Sequence, residues 1–262
     1  LNYLKEWPTG WMMPIPEVVV KMKDTNAVAT TNFTVSADAS VTFSGSVRDS
    51  TRLTLPLTDG WLAAVRLEIV PLEDTNRDGQ NRQRSAAITP SAALKPKSGE
   101  KETKLVFYHA EADHKQERYS MTLPIIGVKD RWQLSPDHDL QTAVWLLAKP
   151  AKVAEGDSLI INLGSAPVAS VRISITPFAS GDPLQSGIGE PLRNALAQSA
   201  RLRSKADRNL LNATHLFSTA WDEAAFAKVQ SLWTDLRECR GGRAWTMITE
   251  AREPLTTRVL PR

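Results

Sequence analysis

From about Glu17 to Pro177 the chain runs as short strand-length stretches separated by turn residues. Val41-Thr42-Phe43, Arg52-Leu53-Thr54-Leu55, Val65 to Val70 and Val171 to Ile175 alternate apolar with polar side chains, which buries one face of a strand and wets the other. Glu17 to Val20, Lys104 to Tyr108 and Leu159 to Leu163 add apolar runs of the same length. No helical pattern of about ten residues or more interrupts them, so the region predicts a mainly β fold, an antiparallel β-sandwich rather than an α/β sheet.

The pattern changes after Phe178. Ser180-Gly181-Asp182-Pro183 and Ser186-Gly187-Ile188-Gly189 read as a linker, and Pro191 sits where a first helical turn tolerates it. Further on, Thr219 to Asp222 has the form of a capping box. Trp221, Ala225, Val229, Leu232 and Leu236 recur at helical steps up to Gly241-Gly242. This amphipathic helix needs a partner, and the expected one is the preceding helix, in a helical hairpin. The predicted organisation is an N-terminal arm (1–16), a sandwich (17–179), a linker (180–189), a helical hairpin (190–242) and an extended arm (243–262).

Composition narrows the function. The longest apolar runs, such as Ala143 to Ala148, are far shorter than the roughly 20 residues of a membrane-crossing helix, so no membrane span is expected. A formal charge of +3 over 262 residues, with its basic residues scattered apart from an excess between Arg193 and Arg208, gives nucleic-acid binding little support. Cys239 is the only cysteine, which excludes an internal disulfide, a cysteine-rich zinc site and a Cys-x-x-Cys-His haem attachment.

Two stretches carry the residue types of metal chemistry. In Glu73-Asp74-Thr75-Asn76-Arg77-Asp78-Gly79-Gln80, the side chains of Asp74, Asn76 and Asp78 alternate ahead of a glycine, the first half of an EF-hand-type calcium loop. Counted from Asp74, however, the twelfth position, which needs a carboxylate, is Ser85, and the ninth is Arg82. The first reading is therefore a polar hairpin or inter-strand loop with Gly79 at positive φ; calcium on Asp74, Asn76 and Asp78 is the second. In His109-Ala110-Glu111-Ala112-Asp113-His114, a strand puts His109, Glu111 and Asp113 on one face and His114 on the other. The two histidines point apart, and a solvated strand end is expected rather than zinc. Glu68, between Leu67 and Ile69, points outward and reads as a solubilising residue. Trp61, Trp132 and Trp145 are expected in the core, with Trp7 and Trp11 packed over the sandwich edge. No nucleophile–base arrangement or complete metal motif is visible, so no catalytic residue is named.

Three segments together resemble one family. Gly60-Trp61-Leu62-Ala63-Ala64-Val65-Arg66-Leu67-Glu68 is similar to the "Ile-Thr-Ala-Leu-Arg-Leu-Glu" strand in the β-sandwich insert of planctomycete-type cytochrome c multidomain proteins. Ile126 to Gln133, followed by Thr142-Ala143-Val144-Trp145, is similar to that insert's Asp-Gly-x-x-x-Gly-Trp and Ala-Val-Phe segments. Thr246 to Leu260 is similar to the Thr-Met-Val-Met-Glu…Pro-Arg-x-Thr-x-Val-Leu opening of the family's C-terminal domain of unknown function. The resemblance implies a galactose-binding-like or jelly-roll sandwich and a helical linker, with an exported, periplasmic or cell-surface parent protein. Any haem would lie elsewhere in that parent, and no cofactor is expected in this chain. Because the chain starts at Leu1 without a basic-then-apolar signal segment, and 246–260 opens a further domain, it is expected to be a piece of a longer protein. The implied role is a non-catalytic carbohydrate-binding-like module that holds polysaccharide or positions neighbouring domains. A structural spacer without a ligand is the alternative, and a glycan-active enzyme comes third. If a glycan is held, the expected contact is the polar loop carrying Asp137, His138, Asp139 and Gln141, between two strand-like segments.

Overall fold

A computed structural model of the chain describes residues 2–21, 32–44, 50–75, 81–83, 86–121, 123–164 and 168–241. The fold is mainly β, an antiparallel sandwich followed by helices. One sheet has five strands and contains β1 (Glu17–Lys21), β4 (Ser50–Pro56), β6 (Ser91–Lys95), β7 (Thr103–Leu105) and β10 (Ser158–Gly164), in the order β1-β4-β10-β6-β7. The other has six strands: β2 (Asn32–Val35), β3 (Ser40–Ser44), β5 (Gly60–Pro71), β8 (Phe107–Ala112), β9 (Gln141–Val153) and β11 (Val168–Thr176), in the order β8-β9-β5-β11-β3-β2. Every pairing in both sheets is antiparallel.

The main core lies between the sheets, where Leu53, Leu55, Leu67, Ile69, Trp132, Trp145, Leu159 and Ile173 interlock. Trp132 meets Trp145 edge-on, with centroids 5.9 Å apart. Trp61 departs from the expected core placement; it sits half-exposed at the start of β5. The run Ala143 to Leu147 is buried at every position because the six-stranded sheet is covered on both sides. Ala143, Trp145 and Leu147 face the sandwich core, whereas Val144 and Leu146 join Ala63 and Ala64 beneath a layer of helices. The register between β9 and β5 slips between Leu146 and Ala151, the interval that contains Pro150, whose nitrogen has no proton to give a ladder.

Glu68 is not a free solubilising residue. On the outer face of the six-stranded sheet it receives both arms of Arg172, Nε at 2.9 Å and Nη2 at 2.8 Å, and Arg66 approaches it at 3.5 Å. Trp11 lies under Arg66, 4.6 Å from ring centroid to guanidinium carbon, and gives its indole N–H to the Ser186 carbonyl at 3.2 Å. The N-terminal arm thus packs over the outer face of this sheet, and Met12 bridges to Ile175 near the end of β11, beyond the residues that pair with β3.

Four α-helices lie among the described residues: α1 (Asn2–Glu6), α2 (Glu190–Ala197), α3 (Lys205–Thr219) and α4 (Glu223–Arg240). The C-terminal part is therefore three helices rather than a hairpin. Pro191 occupies the first turn of α2, as its fixed φ allows. The capping box is at the other end of α3 from the one expected. Ser204 caps the Asp207 N–H, and Asp207 returns a bond to the Ser204 N–H. Thr219 closes α3, Ala220 turns the chain at φ 48°, and Asp222 starts α4 by accepting from the Ala225 N–H at 2.9 Å. The buried face of α4 also differs from the predicted stripe. Phe226, Val229 and Trp233 pack into the layer over Ala63 and Val144, with Phe217 of α3 edge-on to Phe226 at 6.0 Å. Trp221, Leu232 and Leu236 are exposed. The helix finds its partner in the sheet as well as in α3, and that contact rotates it towards Phe226 and Trp233, seven residues apart on one face. Among the described residues, no helix is long and apolar enough to cross a membrane.

Candidate functional site

β8 is an edge strand of the six-stranded sheet, and its ladder with β9 slips between Phe107 and His109. An extra residue in one strand re-aims its neighbours. Phe107 packs on the sandwich core, but both Tyr108, against the helical layer, and His109 lie on the other side. Beyond the slip the alternation resumes as the sequence pattern requires, with Ala110 and Ala112 in the core and Glu111 facing out.

The chain then returns along this edge. Tyr119–Ser120 pairs with Leu123–Pro124, the Ile125 N–H bonds the Arg118 carbonyl at 2.8 Å, and the Val128 N–H bonds the Ala110 carbonyl at 2.9 Å. Gly127 makes that return possible. Its φ is +74°, and a Cβ there would lie 2.5 Å from the Ala110 oxygen and 2.7 Å from Cε1 of His109. The last turn of α4 forms the opposite wall. Gly241 sits against Ile126, and Arg237 lies over the Tyr108 ring at 5.8 Å while bonding the Gly181 carbonyl at 3.3 Å.

Between these walls is an open cleft of about 440 Å³, with Pro124, Ile125, Ile126 and Val128 among its apolar lining. Its polar lining is dominated by cations. Lys115 is neutralised by Glu111 at 2.5 Å, and Glu117 accepts from the Tyr119 hydroxyl at 2.5 Å. The guanidinium groups of Arg118, Arg131, Arg237 and Arg240 line the same cleft, and no carboxylate among the described residues forms an ion pair with any of them. Arg118 is oriented by the Arg131 carbonyl at 2.9 Å, and Arg131 reaches Oε1 of Gln133 at 3.3 Å.

A second hollow of about 260 Å³ shares Arg118, Ile125, Ile126 and Gly127 with the cleft and reaches Tyr108 and His109. His109 is 6% exposed, so the expected solvated strand end is instead a buried imidazole. Its Nε2 is buried without a hydrogen-bond partner, and the buried Tyr108 hydroxyl has only the nearby Arg237 guanidinium. Burial first, and then the positive charges of Arg237, Lys115 and Lys129, push the His109 pKa down to about 3, so the ring is neutral at neutral pH. Burial also raises the Tyr108 pKa, with Arg237 opposing. Both side chains can therefore exchange hydrogen bonds with neutral hydroxyl groups.

The loop expected to hold a ligand lies beside this cleft. Gln141 is 0% exposed and holds the loop from inside, accepting from the Ser135 N–H at 2.8 Å and donating to the carbonyls of Ser135 at 2.6 Å and His138 at 3.0 Å. Asp137 and Asp139 are exposed. His138 stacks on His114 at 3.5 Å, joining this loop to the segment that continues into Lys115 and the cleft. Of the calcium residues, Asp74 lies in a short antiparallel ribbon, Glu73–Thr75 paired with Asn81–Gln83; Asn76 and Asp78 lie outside the described residues. Among the described residues, no three His, Cys, Asp or Glu side chains form a metal-binding group.

A further cavity of about 690 Å³, lined by Trp11, Trp233, Phe217 and Arg66, separates the helical layer from the linker. Its polar groups are engaged in part: Arg66 pairs with Glu68 through Nη2 and is covered by Trp11, whose indole N–H is bonded, while the Arg66 Nε is buried without a hydrogen-bond partner. Sequence reasoning missed the cleft because its cations come from three separate stretches. The available signal was the four basic residues Lys115, Arg118, Lys129 and Arg131 within one short stretch. No protein-family model, curated protein or solved structure matches the chain.

Proposed function

We propose that the chain is a non-catalytic binding module for polysaccharide, with the cleft between Lys115–Arg131 and the end of α4 as its site. The observation that carries the reading is an open cleft of about 440 Å³, within the usual range of about 300–1,000 Å³ for ligand sites, lined by four arginines that form no ion pair with a carboxylate among the described residues. Its aliphatic patch suits the C–H face of a sugar ring, and the adjoining Tyr108 and His109 suit ring hydroxyls. The loop of Asp137, His138 and Asp139 extends the same rim through the His114–His138 stack. The setting in a larger exported protein is supported by the sequence resemblance, which is also what first suggests polysaccharide.

The test is titration of the 262-residue chain with a panel of neutral and acidic oligosaccharides. Binding at or below millimolar sugar, a scale of about 4 kcal/mol, supports the reading. Absence of binding across the whole panel favours the spacer. Shortening of a bound oligosaccharide on incubation would replace the non-catalytic reading with the enzyme one.

A further inference from the structure

We propose that the glycan this cleft selects is acidic, a sugar chain bearing carboxylate or sulfate groups beside free hydroxyls. The inference rests on the polysaccharide reading above and deepens it to a ligand class. The first reason is the choice of cation. Arginine presents a planar fork of N–H donors that matches a carboxylate or sulfate edge, and such charge-assisted pairs are stronger than neutral hydrogen bonds. Arg118, Arg131, Arg237 and Arg240 all border one cleft, while the neighbouring Lys115 and Glu111 satisfy each other.

The second reason is what the cleft lacks. Among the described residues no aromatic ring lines it, so a neutral sugar would find no stacking platform on them and would depend on hydrogen bonds won against water. The same feature separates the ligand from single-stranded nucleic acid, whose bases are held chiefly by stacking.

The third reason is the pair of buried polar groups in the adjoining hollow. The His109 Nε2 has no protein partner, and the Tyr108 hydroxyl has only the nearby Arg237 guanidinium. A hydroxyl both donates and accepts, so it satisfies a neutral imidazole in either tautomer and a phenol as well. A simple anion supplies acceptors only. Guanidinium groups for an oxyanion, beside an imidazole and a phenol for hydroxyls, together describe an acidic sugar.

The experiment titrates the whole chain with four probes: an oligogalacturonate, a sulfated galactan oligomer, a neutral cello-oligosaccharide and inorganic polyphosphate. Two variants accompany it. Arg131→Gln with Arg240→Gln removes two exposed charges from the cleft, and Lys101→Gln with Lys104→Gln removes two exposed charges near the free edge of the five-stranded sheet. The expected result is that the uronate, the sulfated oligomer or both bind at least about tenfold more tightly than the neutral sugar, and weaken as salt screens the charges. The cleft variant loses about tenfold, a difference of about 1.4 kcal/mol, and the control variant less than about twofold. The two acidic arms decide which oxyanion is preferred. Equal binding of the neutral sugar overturns this inference but leaves the polysaccharide reading standing. So does equal loss in both variants. Polyphosphate binding as tightly as the acidic sugars would reduce the cleft to nonspecific charge and overturn it too. Failure of all three sugars at millimolar concentration removes both readings together.

Discussion

Replacing His109 by Gln should remove a large part of the chain's acid sensitivity. The imidazole has an unpartnered Nε2, and its burial first, then the charges of Arg237, Lys115 and Lys129, push its pKa down to about 3. In the unfolded chain it returns to about 6.5. Between these two values the unfolded state carries a proton that the native state lacks, so stability rises with pH across the window. The contribution is fully present above about pH 6.5 and is lost as the pH falls from there towards 3. At about 1.4 kcal/mol for each pH unit between the two pKa values, acidification to pH 5 should cost the native chain about 2 kcal/mol through this group alone. The assay is urea unfolding at pH 8 and at pH 5, for the parent chain and for His109→Gln. Carboxylates and the other three histidines are common to both, so their effects cancel in the difference. The variant should lose about 2 kcal/mol less than the parent between the two pH values. Equal losses would refute the argument, because they would mean that the ring titrates as it does in water.

Gly127→Ala should cost about 2–4 kcal/mol in chemical unfolding, since the new methyl meets the Ala110 oxygen and the His109 ring at positive φ; a loss under about 0.5 kcal/mol would show that the return along β8 is not tightly held. Gln141→Leu leaves the buried Ser135 N–H without its acceptor and should destabilise by about 2–4 kcal/mol, whereas a residue serving only a ligand would leave the melting temperature unchanged. Calcium and EDTA should give nearly the same melting temperature, because the loop after Asp74 has Ser85 at its twelfth position; a rise of many degrees with calcium, abolished by Asp74→Ala, would restore the EF-hand-type reading.

The sandwich was readable because its strands carry their burial in the side-chain period. Val65, Leu67 and Ile69 face the core as alternation demands, and the Leu159 to Leu163 run became β10. The helices were readable as helices but not in their orientation. Trp221, Leu232 and Leu236 have the right spacing for a buried stripe, yet Phe226 and Trp233 fill more of the space over Ala63 and Val144 and take that place. Glu68 shows the same limit on a strand. Its outward direction follows from Leu67 and Ile69, but its pairing with Arg172 depends on a register set a hundred residues away. The cleft was least legible. Tyr108 and His109 lie on one side only because the β8 ladder slips, and Arg237 meets them only after the chain has crossed the whole sandwich. Neither a bulge nor a crossing has a signature in local composition.

The most direct measurement is amide hydrogen exchange of the full chain with and without saturating oligogalacturonate or sulfated galactan. The account predicts added protection in the segment from 115 to 131 and in the last turn of α4 around Arg237 to Gly241, with the loop at Asp137 to Asp139 as a secondary contact. Protection gathered instead around Trp11, Trp233 and Phe217, or on the five-stranded sheet, would contradict it.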